Sequence, residues 1–352
     1  MDVVVTGGNG FVGRHLVGAL EARGDRVRVL ALPGEKTDDL AARGVHVHRG
    51  DVRRPETLPA AMAGADAVVH LAAMMHVWRP LADYRAVNVE GTANVVRAAS
   101  DAGVSRLVHM SSSAVYGPAA GAPVTEDHPL APPSDPYART KAEADRLVLA
   151  AARALPVAVL RPDQVFGPGD LLHFGSTASR LMAGRALVVG RGDNALPLVY
   201  IDDLVQGLLL ALDHPGGPGE AFNITAAAPV TQVQFLTEIA SALHVRPPRH
   251  HVPYPVLFGA GALVERLWSL VPGDRRPPLT RLGVSFLGQH ARFSIDKARR
   301  VLGFEPAVPL LEGIRRTAAW YVGQAPLDPA PSAPVAPAPE ARSSGRAREV
   351  ER

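Results

Sequence analysis

Short runs of β-branched and apolar residues alternate along the first half of the chain with stretches whose apolar positions recur every three or four residues. Val3 to Thr6, Arg26 to Leu32, Val45 to Arg49, Ala67 to Ala72, Arg106 to Ser111 and Val157 to Leu160 read as strands. Helical spacing fills the gaps, as in Val12, Leu16, Ala19 and Leu20. Strands alternating with helices predict an α/β fold, a doubly wound parallel sheet whose sites lie at the carboxyl ends of the strands.

The pattern changes after Arg161, becoming mixed and richer in proline. The expected organisation is a sheet domain over residues 1–165, with later strands interleaved to about 225, and a smaller C-terminal substrate-binding region over 166–323. The stretch Pro255 to Pro272 is the most apolar, but it carries Glu265 and Arg266 near its middle. It is short and charged for a membrane span, so a buried or surface-lying amphipathic helix is expected. From Gln324 the chain turns to Pro/Ala repeats and an Arg/Glu-mixed end, 324–352, which reads as a disordered tail.

Composition narrows the chemistry. The apolar share of 47% and charged share of 20% are those of an ordinary packed protein. A net charge of +3 is too small and dispersed to point to nucleic acid. No cysteine is present, which excludes disulfides, thiolate metal sites and a cysteine nucleophile. The scattered histidines show no carboxylate-supported ligand spacing, so no metal is expected. Met1 runs straight into a strand with no basic leader, and a cytoplasmic protein is expected. Only three of the 37 cations are lysines, namely Lys36, Lys141 and Lys297.

Two motifs carry chemistry. Thr6-Gly7-Gly8-Asn9-Gly10-Phe11-Val12-Gly13 joins the first strand to the first helix. Glycines at such a junction let the backbone turn tightly and approach a pyrophosphate, whose charge meets free N–H groups at the helix start. No obvious acid or arginine closes the second strand, so NAD and NADP both stay open. Tyr137 and Lys141 stand four residues apart at the start of a predicted helix, on one face. A nearby ammonium stabilises a phenolate, so Lys141 is expected to lower the Tyr137 pKa and make it an acid/base. Ser111-Ser112-Ser113 closes the fifth strand, well placed to orient a carbonyl oxygen.

With these motifs in this order, the chain resembles the extended short-chain dehydrogenase/reductase family, also called the NAD-dependent epimerase/dehydratase family, over roughly residues 2 to 320. The resemblance implies a Rossmann-type sheet and an NAD or NADP cofactor. It implies that Gly7, Gly10, Phe11, Val12 and Gly13 cradle the cofactor. Asp51 and Val52 would meet the adenine, Leu71, Ala72 and Ala73 would line the cofactor after the fourth strand, and Asn88 and Val165 would complete its surroundings. Ser112, Tyr137 and Lys141 match the catalytic set, with the last two also at the cofactor. Family members often dimerise through helices starting near Leu81 and Tyr137, which implies a homodimer.

The residues also separate branches of the family. Ser112-Ser113-Ala114 stands where 4,6-dehydratases carry Thr-Asp-Glu, and the absence of cysteine removes epimerases with a cysteine acid. Leu196 stands where nucleotide-sugar enzymes commonly place a diphosphate-binding arginine. The C-terminal half resembles the 3β-hydroxysteroid dehydrogenase-like branch. The expected function is NAD(P)-dependent hydride transfer at a hydroxyl or ketone of a largely apolar small molecule, steroid-like, alicyclic or long-chain. A nucleotide-sugar C4 epimerase and a non-catalytic NAD(P) sensor are the alternatives.

Overall fold

A computed structural model describes residues 1–117, 123–214, 219–271 and 276–323. The tail expected from Gln324 lies outside the described residues. Thirteen strands and thirteen α-helices follow one another among the described residues. The strands are β1 (Asp2–Thr6), β2 (Arg26–Ala31), β3 (His46–Arg49), β4 (Ala67–His70), β5 (Arg106–Met110), β6 (Val157–Pro162) and β7 (Gln164–Phe166). They continue with β8 (Val188–Val189), β9 (Ala195–Leu196), β10 (Leu198–Tyr200), β11 (Glu220–Ile224), β12 (Val230–Thr231) and β13 (His251–Val252). The helices are α1 (Phe11–Ala22), α2 (Asp38–Ala42), α3 (Pro59–Met62), α4 (Leu81–Arg85), α5 (Gly91–Asp101), α6 (Pro136–Ala150) and α7 (Phe174–Met182). After them come α8 (Ile201–Asp213), α9 (Gln232–Ala242), α10 (Tyr254–Trp268), α11 (Arg281–Gly288), α12 (Asp296–Leu302) and α13 (Leu310–Gly323).

Seven strands form one parallel sheet in the order β11-β6-β5-β4-β1-β2-β3. The chain winds outward through β1, β2 and β3, then returns to lay β4 beside β1 and winds the other way. The reversal between β1 and β4 opens a crevice at their carboxyl ends, where ligands of such sheets bind. Alternation places Val3 and Val5 in one apolar layer with Leu16, Val17 and Leu20 of α1. Val4 faces the opposite layer with Val68, Val95, Leu107 and Val148.

The expected strands appear with small shifts at their ends. The fourth stops at His70 rather than Ala72 and the fifth at Met110 rather than Ser111. The residues beyond leave the ladder to shape the crevice.

The C-terminal region is built from three short strand pairs, β7 with β10, β9 with β12 and β8 with β13, and the later helices. It is stitched to the sheet rather than hung from it. Asn223 of β11 accepts from the Tyr116 hydroxyl at 2.7 Å and donates to the carbonyls of Val124 and Ser294. Val124 and Phe293 in turn form a parallel bridge across 169 positions of chain. Helix α10 lies on the surface: Gly261 is its one buried residue, while Val256, Leu263 and Leu267 are 59%, 58% and 56% exposed.

Candidate active site

The glycine loop is built by close packing. Gly7 has φ +71°, and a Cβ there would sit 2.8 Å from the Ala72 amide nitrogen. A Cβ on Gly13 would fall 2.2 Å from the Gly7 carbonyl oxygen. Gly10 precedes α1 without any side-chain cap, which leaves the first turn with Phe11 and Val12 free to meet an anion. These are the requirements of a pyrophosphate cradle, and the residues present fit an NAD or NADP cofactor.

A chain of hydrogen bonds runs from this loop to the start of α6. The Thr92 hydroxyl donates to the Asn88 carbonyl at 2.7 Å, so it accepts from His70 Nε2 at 2.9 Å. His70 Nδ1 then accepts from the Thr6 hydroxyl at 2.7 Å, and Thr6 Oγ1 accepts from the Ala72 amide at 3.2 Å. The order requires a neutral imidazole, and burial, aided by the Lys141 charge, pushes the His70 pKa to about 3. Asn88 lies in a π-helical turn, Ala86–Glu90, between α4 and α5. Its amide grips Met74 through both backbone groups and donates to the Thr140 hydroxyl at 3.0 Å. Thr6, Thr92 and Thr140 were not singled out in the sequence; a hydroxyl beside each motif is the only signal it offers.

The residues expected to be catalytic come from the end of β5 and the start of α6. Ser112 caps the turn Ser113–Tyr116 by accepting from the Ala114 amide at 3.2 Å. Asp135 caps α6, accepting from the Ala138 amide at 3.1 Å, and Pro136 opens the helix. Tyr137 thereby stands in the first turn with its phenol close enough to Ser112 for that side chain to act on it. Tyr137 is half-buried. Burial pushes the phenol up to about 12, against the opposing effect of Ser112.

This corrects one expectation. Lys141 is not among the groups acting on the Tyr137 phenol; its Nζ donates instead to the Met110 carbonyl at 2.5 Å. Lys141 is buried, and desolvation lowers its own pKa to about 8 despite the opposing charge of Asp145. Asp145 is wholly buried and fork-bonded to Arg161 at 2.8 and 2.9 Å. The ion pair fixes α6 to β6 one turn beyond the lysine.

The remaining expected positions divide into open and occupied. Leu71 and Val52 are buried beside the crevice, Ala72 and Ala73 follow β4 there, and Val165 pairs with Val199 in the short β7–β10 sheet. The Asp51 carboxylate is taken by Arg53, at 2.6 Å from its Nη2; burial opposes its ionisation, but Arg53 holds its pKa below the usual range. Leu196 is 3% exposed and belongs to the core. At the end of β2, where the sequence offered no obvious arginine, Arg49 of β3 donates to the carbonyls of Leu32 and Glu35 and to Thr37.

Residues 3–225 match the NAD dependent epimerase/dehydratase family. The chain belongs to this family. It is 34% identical over 321 residues to a 4-hydroxy-2-methyl-3-oxo-4-farnesyl-3,4-dihydroquinoline-1-oxide ketoreductase of Stigmatella aurantiaca, covering 89% of this chain and 95% of the relative. A 2-alkyl-3-oxoalkanoate reductase of Stenotrophomonas maltophilia is 35% identical, with 90% and 98% covered. Among solved structures, MoeE5 in complex with UDP-glucose and NAD superposes with a TM-score of 0.71 at 27% identity, covering 91% of this chain and 98% of that one. The family membership, the parallel sheet and the glycine cradle agree on a nicotinamide cofactor, NAD or NADP.

Proposed function

We propose that the protein is an NAD(P)-dependent oxidoreductase that interconverts a ketone and an alcohol on a largely apolar small molecule, steroid-like, alicyclic or long-chain. The observation that carries this reading is the meeting of Ser112 and Tyr137 at the carboxyl ends of the strands, beside the glycine cradle, with the Ser112 side chain favouring ionisation of the phenol. Bound in that cradle, the nicotinamide supplies the hydride chemistry. The protein's part is the proton. A phenol held near 12 stays protonated at neutral pH, so Tyr137 is set to donate to a carbonyl oxygen during reduction. Ser112 holds the same oxygen in place.

The apolar substrate is supported by the burial of Leu196 in place of a diphosphate-binding cation and by the reductases among the relatives. A nucleotide-sugar C4 epimerase needs the same three residues, and the likeness to the UDP-glucose complex favours it as the second reading. The test is incubation with NADH or NADPH and a panel of hydrophobic ketones, and separately with UDP-sugars. Stoichiometric loss of nicotinamide absorbance supports the oxidoreductase. Sugar interconversion without net cofactor consumption would replace it with the epimerase, and cofactor binding without either reaction would make the protein a sensor.

A further inference from the structure

A second polar cluster sits by the N-terminus of α6, assembled from three separate segments. His76 comes from the loop after β4, His173 immediately precedes α7, and Arg276 lies ahead of α11. Arg276 Nη1 contacts His76 Nδ1 at 2.8 Å, across 200 positions of chain. A guanidinium only donates, so His76 Nδ1 is the acceptor and the ring is neutral with its proton on Nε2. Burial, with the charges of His173 and Arg276, pushes His76 to about 2. His173, whose ring meets that of His76 edge-on at 4.5 Å, is also lowered, chiefly by burial. The cluster therefore holds one positive charge, on Arg276.

Among the described residues no acid is paired with that charge. Arg276 makes one further hydrogen bond, a long one of 3.4 Å to Thr280 Oγ1. Among the described residues the neighbouring carboxylates are engaged elsewhere. Asp135 caps α6, Glu265 is paired with Arg281 at 2.7 Å, and Asp170 accepts from the backbone amides of Leu172, His173 and Phe174, with one oxygen 3.8 Å from His173 Nδ1. The position of the cation is set by what it acts on. Tyr84 feels the charges of Asp135, Arg276 and Tyr137 together, and Asp135 feels Arg276. Through His76, Arg276 is tied to the loop that leaves the carboxyl end of β4 just beyond Leu71, Ala72 and Ala73. His76 is held there with φ +58°, a conformation costly for a non-glycine residue and retained where the surroundings demand it.

We propose that Arg276, set in orientation by His76, binds a carboxylate carried by the substrate, so that the protein acts on apolar keto and hydroxy acids rather than on neutral ketones. The reading rests on the oxidoreductase function above and names its substrate class. A planar fork with donors to spare matches a carboxylate in two parallel hydrogen bonds.

The test is calorimetric titration of the NAD(P)-loaded protein with decanoate and with methyl decanoate. Wild type is expected to bind decanoate at least tenfold more tightly than the ester, Arg276→Leu to lose that preference, and Arg276→Lys to keep part of it. Equal binding of acid and ester by wild type, or an unchanged preference in Arg276→Leu, overturns the proposal. Weakened cofactor binding in Arg276→Leu, measured by titration without decanoate, also overturns it by placing the cation on the cofactor. Decanoate binding needs no turnover. Tyr137→Phe should retain it, and a wild type that binds decanoate but turns over no hydroxy acid or ketone refutes the oxidoreductase reading alone.

Discussion

Helices α6 and α10 have the same length, 15 residues, and opposite relations to the solvent. By composition α10 is the apolar one, yet Gly261 is its sole buried residue and its leucines face outward. Helix α6 reads as polar, yet it buries Thr140, Lys141 and Asp145 along with its alanines. Hydropathy ranks the two in the wrong order because burial in α6 is set by chemistry. A lysine and an aspartate are taken from water to meet the Met110 carbonyl and the Arg161 guanidinium, which offset the cost of burying them.

The comparison is broken most severely at Asp145. Asp145→Ala leaves the Arg161 guanidinium buried without its partner, and urea denaturation should show a loss of roughly 3–5 kcal/mol. Replacing both residues, Asp145→Leu with Arg161→Met, should recover most of it. Tyr137→Phe removes only the proton donor: turnover should fall by about two orders of magnitude or more in steady-state assays, with cofactor affinity kept.

Lys141 gives a pH test of intermediate size. Its folded pKa of about 8 lies below the ordinary 10.5, so between those values the unfolded chain holds a proton that the folded one lacks. The contribution of this group to stability therefore rises with pH across that window, while activity that needs the ammonium falls above about 8. Denaturation and initial-rate profiles from pH 7 to 10 should move in opposite directions. The smallest effect is expected on α10, where Leu267→Gln should change stability by no more than about 0.5 kcal/mol, read by thermal melting.

The alternation of β-branched runs and helical periods reports burial on both faces of a parallel sheet, and it located six of the seven main strands. The seventh, Glu220–Ile224, lies beyond Arg161, where the pattern is mixed. Ser112, Tyr137 and Lys141 were legible because their spacing is local to one strand end and one helix turn. The cluster of Arg276, His76 and His173 was not, since its members lie on three segments far apart in sequence that only the fold brings together. The expected effect of Lys141 on Tyr137 failed for a related reason: helical spacing places two side chains on one face, but the carbonyl of Met110, on another element, decides where the ammonium goes.

The bonds made by Asn223 bear on how this architecture can be re-engineered. One amide side chain ties the last main strand to Tyr116, to Val124 and to Ser294. The C-terminal region is therefore not a cassette that can be exchanged at a single junction to change specificity. A chimaera joined near residue 225 would have to carry matching partners for Asn223 on both sides of the cut, or it would trade a new substrate for a sheet with a loose edge.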